Sequence, residues 1–134
     1  MNTLLQRVDL MRLWRAAGWL GVVLALALSL LPPALDAAGG PSDKLVHFLG
    51  YALLTLWWAQ LTRRRWTLAL AIVLFSGAIE LLQGLTPQRQ PELLDLAANS
   101  GGVMLGWLAA RLLDHSPACG CLPRYLAALP AARR

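Results

Sequence analysis

Four long apolar runs, cut apart by proline, glycine and arginine, constrain this chain more than any other feature. The first, Leu13 to Leu31, carries one charge near its start, Arg15, and stops at Pro32 and Pro33. At 1.5 Å per residue it spans roughly 28 Å, enough for the hydrocarbon core of a bilayer. After a turn rich in proline and glycine (Pro32, Pro33, Gly39, Gly40, Pro41), Ser42 reads as an N-cap and Asp43 to about Leu61 as the second helix, with acid in its first turn. Arg63, Arg64 and Arg65 end it. Trp66 to about Gln83 forms the third run, closed by Gly84, Pro87 and Pro91, and Pro91 takes the first helical position of a fourth that reaches Leu113. No run alternates with period two, which excludes a transmembrane barrel.

Composition points to the same solvent. The chain is 57% hydrophobic and 14% charged, where an ordinary soluble domain is about 25% charged. Disordered tails and exposed soluble enzymes fit poorly. A net charge of +5 would suit nucleic acid, but the arginines lie between apolar runs and form no basic stripe interleaved with stacking aromatics, so no nucleic-acid partner is expected. The first run could alternatively be a signal peptide cut near Leu35-Asp36-Ala37. Leu35 is bulky for the position two before a cut and the basic region is long, so a retained helix is expected.

Orientation follows from the basic residues. Arg7, Arg12, Arg15, Arg63, Arg64, Arg65, Arg111, Arg124, Arg133 and Arg134 fall on one side, and only Lys44 and Arg89 on the other. The positive-inside rule then puts both termini in the cytoplasm and the two Pro-rich loops outside. Trp14, Trp57, Trp58, Trp66 and Trp107 map toward the cytoplasmic interface as an aromatic belt, with Trp19 somewhat deeper. The expected architecture is all-α: an integral membrane bundle of four transmembrane helices over residues 13–113, a cytoplasmic N-terminus over 1–12 and a cytoplasmic tail over 114–134. In the tail, Cys119 and Cys121 flank one glycine, too close for an easy disulfide, and with His115 they match no closed zinc site, so the tail reads as inert.

Ionisable groups are rare in membrane helices, and those present usually face the bundle interior or mark a site. Here they gather near the outer face. Asp43 and His47 are i and i+4 on the second helix, Glu80 and Gln83 i and i+3 in the last turn of the third, and Asp95 and Asn99 i and i+4 on the fourth. Arg89 lies in the loop joining the last two, and the N-termini of the second and fourth helices point to the same level. A guanidinium and two helix N-termini suit an anion such as phosphate or carboxylate. The carboxylates and histidine equally suit acid and base roles, or a divalent cation held through His47 nitrogen and carboxylate oxygen. The residue types do not choose among these.

Each position also has a plainer reading. Asp43 and Asp95 favour helix N-termini through the dipole, Glu80 can pair with Arg89, Lys44 or His47, His47 can be a hydrogen-bonded packing residue, and Asn99 can bond across helices. Gly102 and Gly106 with Ala98 form a small-xxx-small seam for close helix packing, which also offers self-association.

These residues resemble the VanZ-like family of membrane proteins, named after a small protein linked to teicoplanin resistance. The resemblance rests on Asp43-Lys44, then His47-Phe48 and Tyr51, then Glu80-Leu81-Leu82-Gln83, then Arg89 with Asp95 six residues on, Asn99, Gly102 and Gly106. It runs from Asp43 through the fourth helix; the first helix matches only as an apolar span. Pro91 and Glu92 stand where the family more often has an aromatic and an acid. The resemblance implies a four-helix, multi-pass protein of the bacterial cytoplasmic (inner) membrane, associated with glycopeptide tolerance or envelope physiology, and implies no established reaction, metal or cofactor.

Three functions compete. In the first, the cluster binds, and in one version chemically alters, the anionic head group of an envelope lipid or lipid-linked precursor: His47, Glu80 and Asp95 position the group or move protons, and Asp43, Lys44, Tyr51, Gln83, Arg89 and Asn99 bind it. In the second, the polar groups only lock the register of a structural or partner-binding bundle. The third, a proton or ion transporter built on Asp43, His47, Glu80 and Asp95, is weakened because helices two to four carry no ionisable residue in their inner halves before Arg111. Orientation is checked by thiol labelling of Gly39→Cys and Gln88→Cys in a background lacking Cys119 and Cys121. Both sites are expected to react in intact cells, and reaction only after permeabilisation reverses the topology.

Overall fold

The computed structural model describes residues 3–30, 41–62, 64–85 and 92–115. They form four helices and no strand: α1 (Thr3–Leu30), α2 (Pro41–Ala59), α3 (Arg65–Gln83) and α4 (Leu93–His115). The expected readings of Pro32, Pro33, Gly39, Gly40, Pro87, Arg89, Pro91, Cys119 and Cys121 lie outside the described residues, and of His115 only the helical backbone is described.

The boundaries depart from expectation in ways that have local causes. α1 starts ten residues before its apolar run, because Thr3 to Arg12 contains no proline or glycine to interrupt it; hydropathy marks the membrane stretch, not the end of the helix. Its described residues end at Leu30. The described part of α2 begins at Pro41, so Ser42 lies within the helix and not before it. It ends at Ala59, where Gln60 and Leu61 donate back to Trp57 and Trp58 in a tighter turn. α4 begins at Leu93, and the Glu92 carbonyl accepts its first bonds, from the N–H groups of Asp95 and Leu96.

Three of the helices, α1, α3 and α4, are long and apolar enough to cross a membrane. α2 falls short because Ser42, Asp43, Lys44 and His47 crowd its first two turns. It packs on α4 most extensively and on α1 and α3 as well, while Leu45, Val46, Leu49 and Leu53 leave its remaining face exposed. Tyr51, Ala52, Leu54, Thr55 and Ala59 are buried along it. Polar side chains in a membrane helix are tolerated where they face the bundle interior.

Glycine makes the α2–α4 contact possible. A Cβ built on Gly102 would overlap the Phe48 carbonyl oxygen, and one on Gly106 would overlap that of Ala52. The seam expected from Ala98, Gly102 and Gly106 thus lies against α2 of the same chain. Val103 and Trp107 of α4 join Tyr51, Leu54, Ala69 and Ile72 in the core.

α1 lies at the edge: 11% of its apolar window is buried, against 33% for α3 and 39% for α4. It is pinned at two ends. At one, the Trp14 and Trp57 rings stack 3.9 Å apart, Trp57 Nε1 donates to the Trp14 carbonyl at 3.0 Å, and Trp19 meets Trp58 edge-on. At the other, Gln83 Nε2 of α3 donates to the Ser29 carbonyl at 2.8 Å. Trp66 and Trp107 also meet at the tryptophan end, where Arg111 lies 5.0 Å from the Trp107 ring. One end of the bundle is therefore aromatic and basic, and the opposite end carries Asp43, Lys44, His47, Glu92 and Asp95.

The α2–α4 contact predicts an asymmetry between two glycines. Gly102→Ala forces the backbones apart and is expected to cost about 1–3 kcal/mol. A Cβ on Gly50 meets nothing within 4 Å, so Gly50→Ala is expected to be neutral or to stabilise by up to about 1 kcal/mol through helix propensity. Thermal unfolding in detergent, followed by circular dichroism, reads both, and equal losses would mean that Gly102 is not a backbone contact.

Candidate functional site

The first turns of α2 and α4 meet through Lys44. Its Nζ donates to Glu92 Oε2 at 2.7 Å and to Asp95 Oδ1 at 2.8 Å. Lys44 precedes the apolar part of α2, which starts at Leu45. Glu92 is the partner that the sequence did not single out. Its signal was its i,i+3 spacing to Asp95 in the first turn of an apolar helix.

One turn along α2, His47 Nε2 lies 3.8 Å from Asp43 Oδ1, the i,i+4 pair seen in the sequence. That distance is beyond a good hydrogen bond, so the contact is electrostatic. Asp43, His47 and Asp95 each present one donor atom, all within 4.8 Å of one another. The expected meeting of α2 and α4 polar faces is therefore present for Asp43, Lys44, His47 and Asp95.

A second layer lies one turn deeper. Asp95 is followed at i+4 by Asn99, whose Nδ2 donates to Glu80 Oε1 of α3 at 3.5 Å, with both residues buried. His47 is followed at i+4 by Tyr51, 4% exposed, whose hydroxyl has no hydrogen-bond partner among the described residues. The Asn99 amide oxygen is likewise buried without one. Glu80 was expected to reach for Arg89, Lys44 or His47. The described contacts give Lys44 to Glu92 and Asp95 and bring Asn99 to Glu80.

Gln83 departs from the cluster. Its amide turns to the α1 backbone at Ser29 instead of joining Asp43 and His47. No side-chain pattern could have announced this, because Ser29 takes part through its carbonyl, a group every residue carries. Arg89 lies outside the described residues.

Between its two pins α1 borders, with α2, a cleft of about 480 Å³. On α1 the small residues Ala17, Gly18, Gly21 and Ala25 line the space, and on α2 Gly50 borders it with nothing within 4 Å of a Cβ built on it. Leu24, Leu28, Val46, Leu53, Leu54 and Trp57 make the walls apolar, and Ser29, Asp43 and His47 form its polar end, with Tyr51 below them. The volume is that of a small-molecule pocket, and an apolar wall converging on a few polar groups is the usual composition of one. Chemically, this end can take up a cation directly. Asp43, Glu92 and Asp95 outweigh Lys44, so an anion needs further positive charge there.

A family model described as VanZ/LLP1 matches residues 25–114. The match starts within α1 and runs almost to the end of α4, taking in every candidate site residue and both packing glycines. No curated protein and no solved structure matches the chain. Because the matched stretch is well over half of the 134 residues, the chain belongs to the VanZ-like family of membrane proteins.

Proposed function

We propose that this VanZ-like protein is a four-span protein of the bacterial cytoplasmic membrane, with both termini in the cytoplasm, that binds an envelope lipid or lipid-linked precursor. The acyl chain lies in the α1–α2 cleft and the anionic head group meets the polar end at Asp43, His47 and Asp95. Arg89, in the segment joining α3 to α4, supplies a planar, permanently charged guanidinium for the head group. Lys44 holds Asp95 and Glu92 in place, and Asn99 supports Glu80 from α4. His47, Glu80 and Asp95 are the groups able to move a proton should the head group be altered.

The observation that carries this reading is the cleft: it is apolar for three turns and ends at two titratable side chains, Asp43 and His47, of the same helix. An amphiphile has that polarity pattern. α2 serves as the fourth span because its exposed face, Leu45, Val46, Leu49 and Leu53, is apolar while its polar first turn packs toward α4, and the aromatic, basic end of the bundle supports the cytoplasmic side. Teicoplanin tolerance, the phenotype tied to the family, is the readout in cells.

A second reading, a structural bundle whose polar groups only fix helix register, draws on the Lys44 bridge and the buried Asn99–Glu80 contact. The cleft separates the two. Gly50→Leu places a side chain into open space in its middle. It is expected to leave accumulation and thermal stability intact while the phospholipid retained by the purified protein, measured by native mass spectrometry, falls at least tenfold. Gly50→Ala is expected to retain lipid. Equal retention by wild type and Gly50→Leu would favour the structural reading. Loss of teicoplanin tolerance by His47→Gln and Arg89→Lys at normal protein levels is expected on the binding reading alone.

A further inference from the structure

We infer that Asp43, His47 and Asp95 form a binding site for a single divalent transition-metal ion of the zinc class, and that its open coordination position faces the head of the α1–α2 cleft. The donor set comes first. One imidazole nitrogen and two carboxylate oxygens, from two helices, lie within 4.8 Å of one another. Donors each bound at about 2.0–2.2 Å to one ion lie at most about 4.4 Å apart, so closure by a few tenths of an ångström brings all three into coordination. The 3.8 Å between His47 Nε2 and Asp43 Oδ1 is long for a hydrogen bond and ordinary for two ligands of one metal. Imidazole with carboxylates favours zinc or manganese over the all-oxygen sites of calcium and magnesium.

Charge and the surrounding groups agree. Asp43, Glu92 and Asp95 carry three negative charges against one on Lys44, and a divalent ion on neutral His47 balances them. Lys44 donates to Asp95 Oδ1, which orients that carboxylate and leaves Oδ2 as the ligand, the role outer groups play around metals. Three protein ligands leave at least one position free, as catalytic rather than structural zinc sites do. Asp43 and His47 both line the cleft, so that position opens toward it. Independently, the Tyr51 hydroxyl is buried on the same cleft with no partner, one turn below His47, and the buried Asn99 amide oxygen is unmatched one turn below Asp95. Both are buried polar atoms one turn below the proposed ligands that have no partner among the described residues.

The ion also supplies the positive charge that an anionic head group needs beside three carboxylates. This part rests on the lipid reading above, whereas the metal site itself does not. The test uses the full-length protein in detergent, stripped with chelator, in a His115→Gln, Cys119→Ser, Cys121→Ser background so that the tail offers no zinc ligands. Calorimetry is expected to give one equivalent of zinc, with affinity reduced at least tenfold by His47→Gln and by Asp43→Asn. Both side chains are partly exposed, so both variants are expected to fold, checked by their melting curves. Absence of zinc binding, or zinc binding that neither variant weakens, overturns the site. Binding of vesicles containing phosphatidate is then expected to rise at least tenfold with zinc in the parent and not in His47→Gln. Zinc binding without that rise overturns the link to the head group and leaves the cleft reading to its own test at Gly50.

Discussion

Everything at the polar end depends on how closely α4 can approach α2. Gly102 and Gly106 lie against the carbonyl oxygens of Phe48 and Ala52, where no Cβ fits. With the backbones that close, the first turns of the two helices come within reach of one lysine, and Lys44 spans them to both Glu92 and Asp95. The same approach fixes rotation. Asp43, His47 and Tyr51 on α2 and Asp95 and Asn99 on α4 repeat every four residues, so a small change in crossing would send both polar rows toward lipid together. In a bilayer, where apolar contact alone drives little association between helices, such backbone contact is a main source of specificity.

α1 follows a different rule. Stacked indoles hold it at one end and an amide-to-carbonyl bond at the other, and between them Val22 packs on the core while Gly18 and Gly21 lie close to Trp57, Trp58 and Leu54. Trp57 and Trp58 lie under 3.5 Å from a Cβ placed on Gly18, and Leu54 lies 3.3 Å from one on Gly21, so the cleft runs alongside these contacts and α1 forms its wall.

The sequence made legible whatever depends on period and on chain order. Four helices, the side of the bundle that gathers tryptophan, and the pairs Asp43/His47 and Asp95/Asn99 all follow from spacing along single helices. So does the small-residue seam of α4. What depends on the third dimension was not legible. Glu92 shows its role only with α2 beside it, where Lys44 donates to it. Gln83, one turn from Glu80, faces α1 through a backbone carbonyl that no residue type signals. The cleft lies between two helices, each of which reads simply as apolar. Helix ends also escaped, at Ser42 and before Leu13, because hydropathy reports the solvent and not the hydrogen-bond ladder.

The balance of charge narrows the chemistry further. A buried carboxylate in a membrane helix is costly unless something offsets it, and at this end the described side chains supply one cation, Lys44, for Asp43, Glu92 and Asp95, with Glu80 a turn deeper. Register locking alone would be served by neutral amides, as Asn99 and Gln83 illustrate, and would not require an excess of acid. Carboxylates in excess at the head of an apolar cleft are stabilised when a positive group arrives with function: a guanidinium from the neighbouring segment, a metal ion, or both. The acid excess therefore weighs toward a binding site and away from a purely structural network.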